Sequence, residues 1–311
     1  MAVVTSDFLA GVRTNFRALY SREFAAAQGL QGWQAMALRM DSDGELNTYN
    51  WFDTVPIMVD VTHGTVELQG LRPDNFSLTN REYQAAIEVE RAALERDQLG
   101  LIVPRIQQLG QEAARHPGQL IFQHVLNNNN AFDGSAFFGD TRVIGGSANI
   151  DNSLAGTGTS VAQIQTDLGS AVAAMRVFED DKGRPMNLRG NVIMIPPELE
   201  QLMWQALNRS AGDGVNAPVQ PVSDNGLWQA SGYNVAVNPY LTDANDWFLF
   251  HVGAGMMKPF IWQVEKTPVL ESDTNPNDRA TILARTFVYS VYGRYVTGMT
   301  DPRLGVRTTN S

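Results

Sequence analysis

The apolar side chains divide the chain into segments of different period. After Thr5-Ser6-Asp7, residues Phe8, Leu9, Val12, Phe16, Leu19, Tyr20 and Phe24 recur on one helical face, and the spacing predicts an amphipathic helix ending before Gly29 and Gly32. Two roles suit such a helix: lying on its own core, or docking as an arm on a neighbouring subunit. From Val55 the period becomes two: Val55, Ile57, Val59 and Val61, then Val66 and Leu68, later Tyr83, Ala85, Ile87 and Val89. With Gly70-Leu71-Arg72-Pro73-Asp74-Asn75 as turn chemistry, this reads as a long two-stranded ribbon over 55–90. A ribbon of that kind is marginal alone and needs a surface to lie on.

Helical period returns over roughly 90–127, with Leu101, Ile102, Ile106, Leu109, Leu120, Ile121 and Val125 as its stripe. Pro104 and His116-Pro117-Gly118 punctuate it, and the second is expected to break the helical phase. The segment 127–160 is rich in Asn, Gly, Ser and Thr, which suggests surface function or mobility. A compact α/β unit follows: helices through Ile164–Met175 and Pro197–Leu207, and strands at 191–195, 234–237 and 247–251. The loop 210–225 is another run of small residues, and strand character returns at 260–264 and 282–296.

Composition narrows the chemistry. Among 311 residues there is no cysteine, which removes disulfides, thiol nucleophiles, iron–sulfur clusters and nearly all structural zinc sites. The four histidines, His63, His116, His124 and His251, include no pair at metal-ligand spacing, and each reads as a packed or surface residue. Glu179-Asp180-Asp181 and Asp41 with Asp43 sit in turn contexts and read as solvated faces. Gly253-Ala254-Gly255 lacks a third glycine, no phosphate-loop or nucleophile-elbow motif occurs, and Gly156-Thr157-Gly158 reads better as flexible linker than as an anion site. No metal, cofactor or catalytic residue is therefore expected.

With 33 acidic against 23 basic residues the net charge is −10, which disfavours non-specific nucleic-acid binding. The longest apolar run, 99–104, falls far short of the roughly 20 residues a spanning helix needs, and Asp7 with no basic leader argues against a secretory signal.

Several blocks in order resemble the major head subunit of Mu-like bacteriophages: Asn47-Thr48-Tyr49-Asn50-Trp51-Phe52 with Pro56, Arg115-His116-Pro117 leading to Phe122, and Phe132-Asp133-Gly134-Ser135-Ala136-Phe137-Phe138. Lys258-Pro259-Phe260-Ile261-Trp262-Gln263 and Tyr292-Gly293-Arg294-Tyr295 continue the series, while Gly139-Asp140-Thr141-Arg142 departs from it. The resemblance implies the α+β, HK-ninety-seven-like phage capsid fold. Its implied parts are an N-terminal arm and helix (1–45), an extended loop with its base (46–97, ribbon 55–90), a spine helix and polar loop (98–159), an axial domain (160–255), and return strands of the peripheral domain (256–311).

The implied function is a non-enzymatic major capsid protein, assembled in the host bacterial cytoplasm as hexamers and pentamers into an icosahedral head. A separate scaffolding protein, a portal and a decoration protein are the implied partners, and packaged double-stranded DNA faces the inner wall without specific binding. An encapsulin-like nanocompartment shell and an acidic α/β hydrolase or sugar-binding enzyme are the alternatives. Some shells of this fold are fastened by isopeptide bonds from an extended-loop lysine, yet the three lysines here, Lys182, Lys258 and Lys266, all lie outside 51–90. A non-covalent shell is the expectation. Glu67, Arg72, Asp74, Arg81 and Glu82 in the ribbon, with Phe8, Val12 and Phe16 in the arm, are the candidate subunit-contact residues.

Overall fold

The structure, a computed structural model, describes residues 6–29, 32–49, 76–95, 99–208, 227–230, 232–254, 257–275 and 279–310. The first half runs α1 (Ser6–Gly29), α2 (Trp33–Met36), β1 (Ala37–Asp41), β2 (Leu46–Tyr49), β3 (Phe76–Thr79), β4 (Arg81–Glu90), α3 (Arg91–Glu95) and α4 (Leu99–Leu126). The second runs β5 (Ser153–Ala155), α5 (Val161–Val177), β6 (Val192–Ile195), α6 (Glu200–Asn208), β7 (Leu227–Ala230), β8 (Tyr233–Val237) and β9 (Trp247–Phe250). It ends with β10 (Phe260–Asp273), α7 (Arg279–Ala284), β11 (Thr286–Met299) and β12 (Gly305–Thr309).

The strands form a four-stranded sheet, β1-β10-β11-β4, a six-stranded sheet, β5-β12-β9-β6-β8-β7, and the pair β2-β3. Helices α1 and α4 cover one face of the four-stranded sheet. Val12, Phe16 and Tyr20 from α1, and Ile102, Ile106 and Leu109 from α4, pack on Phe287, Tyr289 and Val291 of β11. Phe16 meets Tyr289 edge-on at 5.1 Å. The two helices approach closely at Gly110, where an added Cβ would lie 3.1 Å from the Tyr20 carbonyl.

In the six-stranded sheet, alternation sends side chains into two separate cores. Ile193, Ile195, Trp247 and Leu249 face α5 and α6. Val192, Met194, Phe248 and Phe250 face Phe137, Phe138, Phe260 and Trp262, an aromatic core that joins the two sheets. Burial on both faces explains the uninterrupted runs Val192-Ile193-Met194-Ile195 and Trp247-Phe248-Leu249-Phe250.

Four expectations change. First, α4 runs unbroken through Pro104 and Pro117. A mid-helix proline costs ~3 kcal/mol, and burial of Ile106, Ile121 and Val125 on the same helix outweighs it. Second, residues 83–89 do not pair within a ribbon. They belong to β4, antiparallel to β11 from Glu90↔Thr286 to Arg81↔Tyr295. Strand alternation reports a buried face and says nothing of the partner. The stem of the excursion is instead β2 against β3, with Tyr49 opposite Phe76; residues 51–75, the turn 70–75 included, lie outside the described residues. Third, 282–284 is helical, and strand β11 begins at Thr286. Fourth, the final strand does not return to the four-stranded sheet. β12 sits between β5 and β9 in the other sheet, where Val306 is fully buried, so residues 153–155 and 305–309 extend the unit expected at 160–255.

The polar segment 127–160 is folded, not loose. Asn152 Nδ2 donates to the carbonyls of Phe137 (2.9 Å), Pro302 (2.9 Å) and Gly305 (3.1 Å), while its Oδ1 accepts from Gly139 N at 2.8 Å. Asn128 makes a reciprocal pair with the Phe138 backbone at 2.7 and 2.9 Å. Asn152→Ala should therefore lower stability by about 2–4 kcal/mol, because it strands several buried backbone groups. Denaturant midpoints would show it, with the exposed Asp140→Asn as a control within about 0.5 kcal/mol.

Candidate assembly surfaces

Polar chemistry is spent on holding the chain together. Among the described residues no group of three or more His, Cys, Asp or Glu could hold a metal ion. Of the histidines, His63 lies outside the described residues, and His251 Nδ1 lies 2.6 Å from the Arg189 carbonyl. His116 and His124 bond to β11, at Tyr295 Oη (2.7 Å) and the Thr297 carbonyl (3.0 Å). All three act as packed residues.

The acidic turn 179–181 is not a solvated face. Asp180 is 5% exposed, accepts backbone N–H bonds from Lys182 (2.9 Å) and Arg184 (3.0 Å), and pairs with Arg184 Nη2 at 2.6 Å. Burial raises the Asp180 pKa, but those donors and the guanidinium outweigh it and hold it below the usual carboxylate range. The contribution of this turn is present above the ordinary carboxylate pKa and is lost as pH falls through the depressed one.

Gly156-Thr157-Gly158 is likewise neither linker nor open anion site. Asp167 accepts from both Thr157 N and Oγ1 at 2.9 Å, Asn310 Oδ1 accepts from Gly158 N at 3.0 Å, and Ser160 with Gln163 closes a capping box on α5.

Arg303 and Asp301 form a buried pair near the start of β12. Arg303 Nε lies 2.8 Å from both Asp301 oxygens, and Nη2 is 2.5 Å from Oδ2. Arg142 ties the departing turn 139–142 in a similar way, pairing with Asp133 at 3.2 Å and donating to the carbonyls of Phe137 (3.1 Å) and Ala136.

A cavity of about 480 Å³ between α1, α4 and the end of β8 is lined by Glu23, Trp33, Arg115, Phe122 and Tyr240, among others. Its carboxylate, Glu23, is engaged by Arg22, Gln107 and Gln111 at 3.1–3.5 Å, which leaves no poised acid–base pair.

The expected contact residues separate into three groups. Glu67, Arg72 and Asp74 lie outside the described residues, and Phe8 lies in the first turn of α1. Val12 and Phe16 are largely buried against the chain's own sheet. Arg81 and Glu82 are exposed at the start of β4, where Glu82 accepts from Tyr292 Oη at 2.7 Å.

What sequence reasoning missed is the outer face of the four-stranded sheet, opposite α1 and α4. Alternation places Glu82, Gln84, Ala86 and Glu88 of β4 there, registered against Arg294, Tyr292, Ser290 and Val288 of β11. Ion pairs Arg294–Glu265 (3.0 Å) and Lys266–Glu271 (2.7 Å) cross it. At its end, Ile282 and Leu283 of α7 are 55% and 74% exposed. The odd members of 83–89 carried the pattern signal because they face the helices, so the even members passed as ordinary polar positions.

A helix-backed four-stranded sheet fused through an aromatic core to an α/β sheet, with the β2-β3 stem beside them, is the architecture of the HK-ninety-seven-like class of phage capsid subunits. The family of the Mu-like prophage major head subunit gpT matches residues 9–166 and 218–309, and the chain belongs to it. The major capsid protein of Escherichia phage Mu is 27% identical over 108 residues, 34% of this chain and 35% of that protein. The Mu-like prophage FluMu major head subunit of Haemophilus influenzae is 26% identical over 153 residues, 49% and 48% of the two lengths. These matches thus span half or less of each curated relative. Among solved structures, the procapsid subunit of bacteriophage JBD30 shares the fold with a TM-score of 0.57 at 18% identity, covering 99% of this chain and 77% of that one.

Asp301→Asn should cost about 3 kcal/mol, since it removes the bidentate partner of the buried Arg303 guanidinium and leaves only Asp180 and Asp181 to offset its charge. Asp41→Asn, which removes the exposed partner of Arg39, should cost under about 1 kcal/mol. Chemical denaturation of the two variants side by side checks the contrast.

Proposed function

We propose that the chain is a major capsid protein that self-assembles, as hexamers and pentamers, into an icosahedral head enclosing phage double-stranded DNA. The observation that carries this reading is family membership across both sheets, on a chain in which no group of three or more His, Cys, Asp or Glu among the described residues could hold a metal ion. A scaffolding protein, a portal and a decoration protein are its partners in assembly, which takes place in the host cytoplasm. The net charge of −10 fits an inner wall that does not pin the genome. The nanocompartment and hydrolase readings lack a comparable observation.

In this reading the residues between Tyr49 and Phe76 are the extended loop, laid over a neighbouring subunit by burial and ion pairs. Lysine is absent from 51–90. Elsewhere Lys258 Nζ donates to the Ala37 carbonyl at 3.1 Å and Lys266 is paired with Glu271, which argues against both as cross-linking amines. Obligate interfaces of this type bury on the order of 2,000–5,000 Å² or more, enough to order a loop that is marginal alone.

Size-exclusion chromatography with light scattering and negative-stain microscopy of the purified chain should give closed particles, rings or tubes of megadalton mass. A stable 34.2 kDa monomer with hydrolytic activity would overturn the proposal. On denaturing gels, assembled particles should run as one monomer band, and a ladder would refute the non-covalent fastening.

A further inference from the structure

The two sides of the four-stranded sheet carry opposite charge. On the helix side, Arg13, Arg17 and Arg22 of α1 and Arg105 and Arg115 of α4 are exposed, and Glu112 is the exposed carboxylate among the described residues of those helices. Glu23 is half-buried and held by Arg22, Gln107 and Gln111, and Asp7 lies in the first turn of α1. On the opposite side, Glu82, Glu88 and Glu90 of β4 share a face with Glu271 and Asp273 of β10, against Lys266 and Arg294 as cations.

The cations of the two sides also differ in state. Lys266 and Arg294 are tied to Glu271 and Glu265, at 2.7 and 3.0 Å. Arg13, Arg17, Arg105 and Arg115 form no ion pair or side-chain hydrogen bond among the described residues. Arg22 has a partner in the adjacent Glu23 and is itself exposed. In a chain with 33 acidic and 23 basic residues, a helix layer with five exposed arginines is a local reversal of sign. Four guanidiniums without a partner add little to the stability of the fold, and their planar donor forks match phosphate oxygens two at a time. At 1.5 Å per residue, positions 13–22 span about 14 Å of α1 and positions 105–115 about 15 Å of α4. A duplex carries about eight phosphate charges over such a length.

We propose that the outer face of α1 and α4 is a contact surface for the phosphates of packaged duplex DNA; the choice of this polyanion rests on the capsid reading above. Phosphate contacts carry no sequence information, so the surface accepts any stretch of genome. The net charge of −10 is a sum over the whole chain, and acid elsewhere steers a duplex toward this face. Contacts through at most five arginines are salt-labile, which orders neighbouring DNA without pinning it.

Fluorescence anisotropy of a labelled mixed-sequence duplex with the dispersed full chain tests this. Affinity should fall about 150- to 500-fold between about 50 and 200 mM salt, as four or five phosphate contacts require. The pair Arg13→Gln, Arg17→Gln and, on the other helix, the pair Arg105→Gln, Arg115→Gln should each reduce the logarithmic salt slope by about 1.8 and weaken binding about tenfold or more at 50 mM. All four positions are exposed, and two independent pairs keep the test open should one variant misfold. Arg176→Gln with Arg189→Gln, exposed positions in the α/β unit, changes net charge equally and should leave binding unaltered. No duplex binding at 50 mM, an equal loss in the Arg176, Arg189 control, or tighter binding of poly-glutamate than of duplex would each overturn the proposal, the last in favour of an acidic protein segment. Particle formation is read separately by light scattering. A chain that assembles but does not bind duplex overturns this inference and leaves the capsid reading; one that binds through these arginines but never assembles overturns the capsid reading and leaves the surface.

Discussion

Everything in this subunit depends on a sheet that is dry on both sides. β6 and β9 sit near the middle of the six-stranded sheet and bury one set of side chains under α5 and α6 and the other against Phe137, Phe138, Phe260 and Trp262. A strand in that position cannot turn a polar residue either way, and its register cannot slip by one without exchanging the two cores. The second core also contains Tyr295 and Met299 of β11 and Ile121 and Val125 of α4. The angle between the two sheets is therefore fixed by close packing of large aromatic groups, of which Phe248 and Phe250 stack at 6.4 Å. Shape at this junction sets the shape of the whole unit.

The polar residues then serve that packing. Asn152, Asn128 and Arg142 satisfy the backbone of a long segment that crosses the aromatic core without regular structure. Asp180, Asp167 and Asp301 each neutralise or cap a group that the fold has already buried. A carboxylate used in this way is fixed by several donors and keeps little freedom for proton transfer.

Sequence periodicity showed the buried faces well and the partners poorly. The helices α1, α5 and α6 and the strands β6, β8 and β9 were legible because each has one strong period over its whole length. The HK-ninety-seven-like fold followed from ordered blocks and not from any one of them. β4 was legible as a strand, but its pairing with β11 is a contact between residues 82 and 294 that no local pattern encodes. Helix α4 was misread at Pro117 because the local cost of proline is visible in the sequence and the tertiary burial that overrides it is not. The asparagines of 127–160 resembled loop composition, since a buried amide network and a solvated loop use the same letters. For the contact residues, Val12 and Phe16 were read correctly as an apolar stripe, and only the fold shows that the stripe is already covered.

The placement of β12 has a consequence for how the chain is made. It hydrogen-bonds in parallel to β5, with Arg307 reaching Ser153 across 154 positions, and on its other side it pairs with β9. Residues 153–250 can leave the ribosome with α5, β6, α6 and β9 all present and still lack the strand that joins β5 to the sheet. The β9 edge of the α/β sheet stays unfilled until the strands of the four-stranded sheet have been made, because β10 and β11 precede β12. A nascent chain in that state has an unpaired edge at β9. Translation order thus acts as a timer: the unit closes last, after the parts of the fold that precede it are in place.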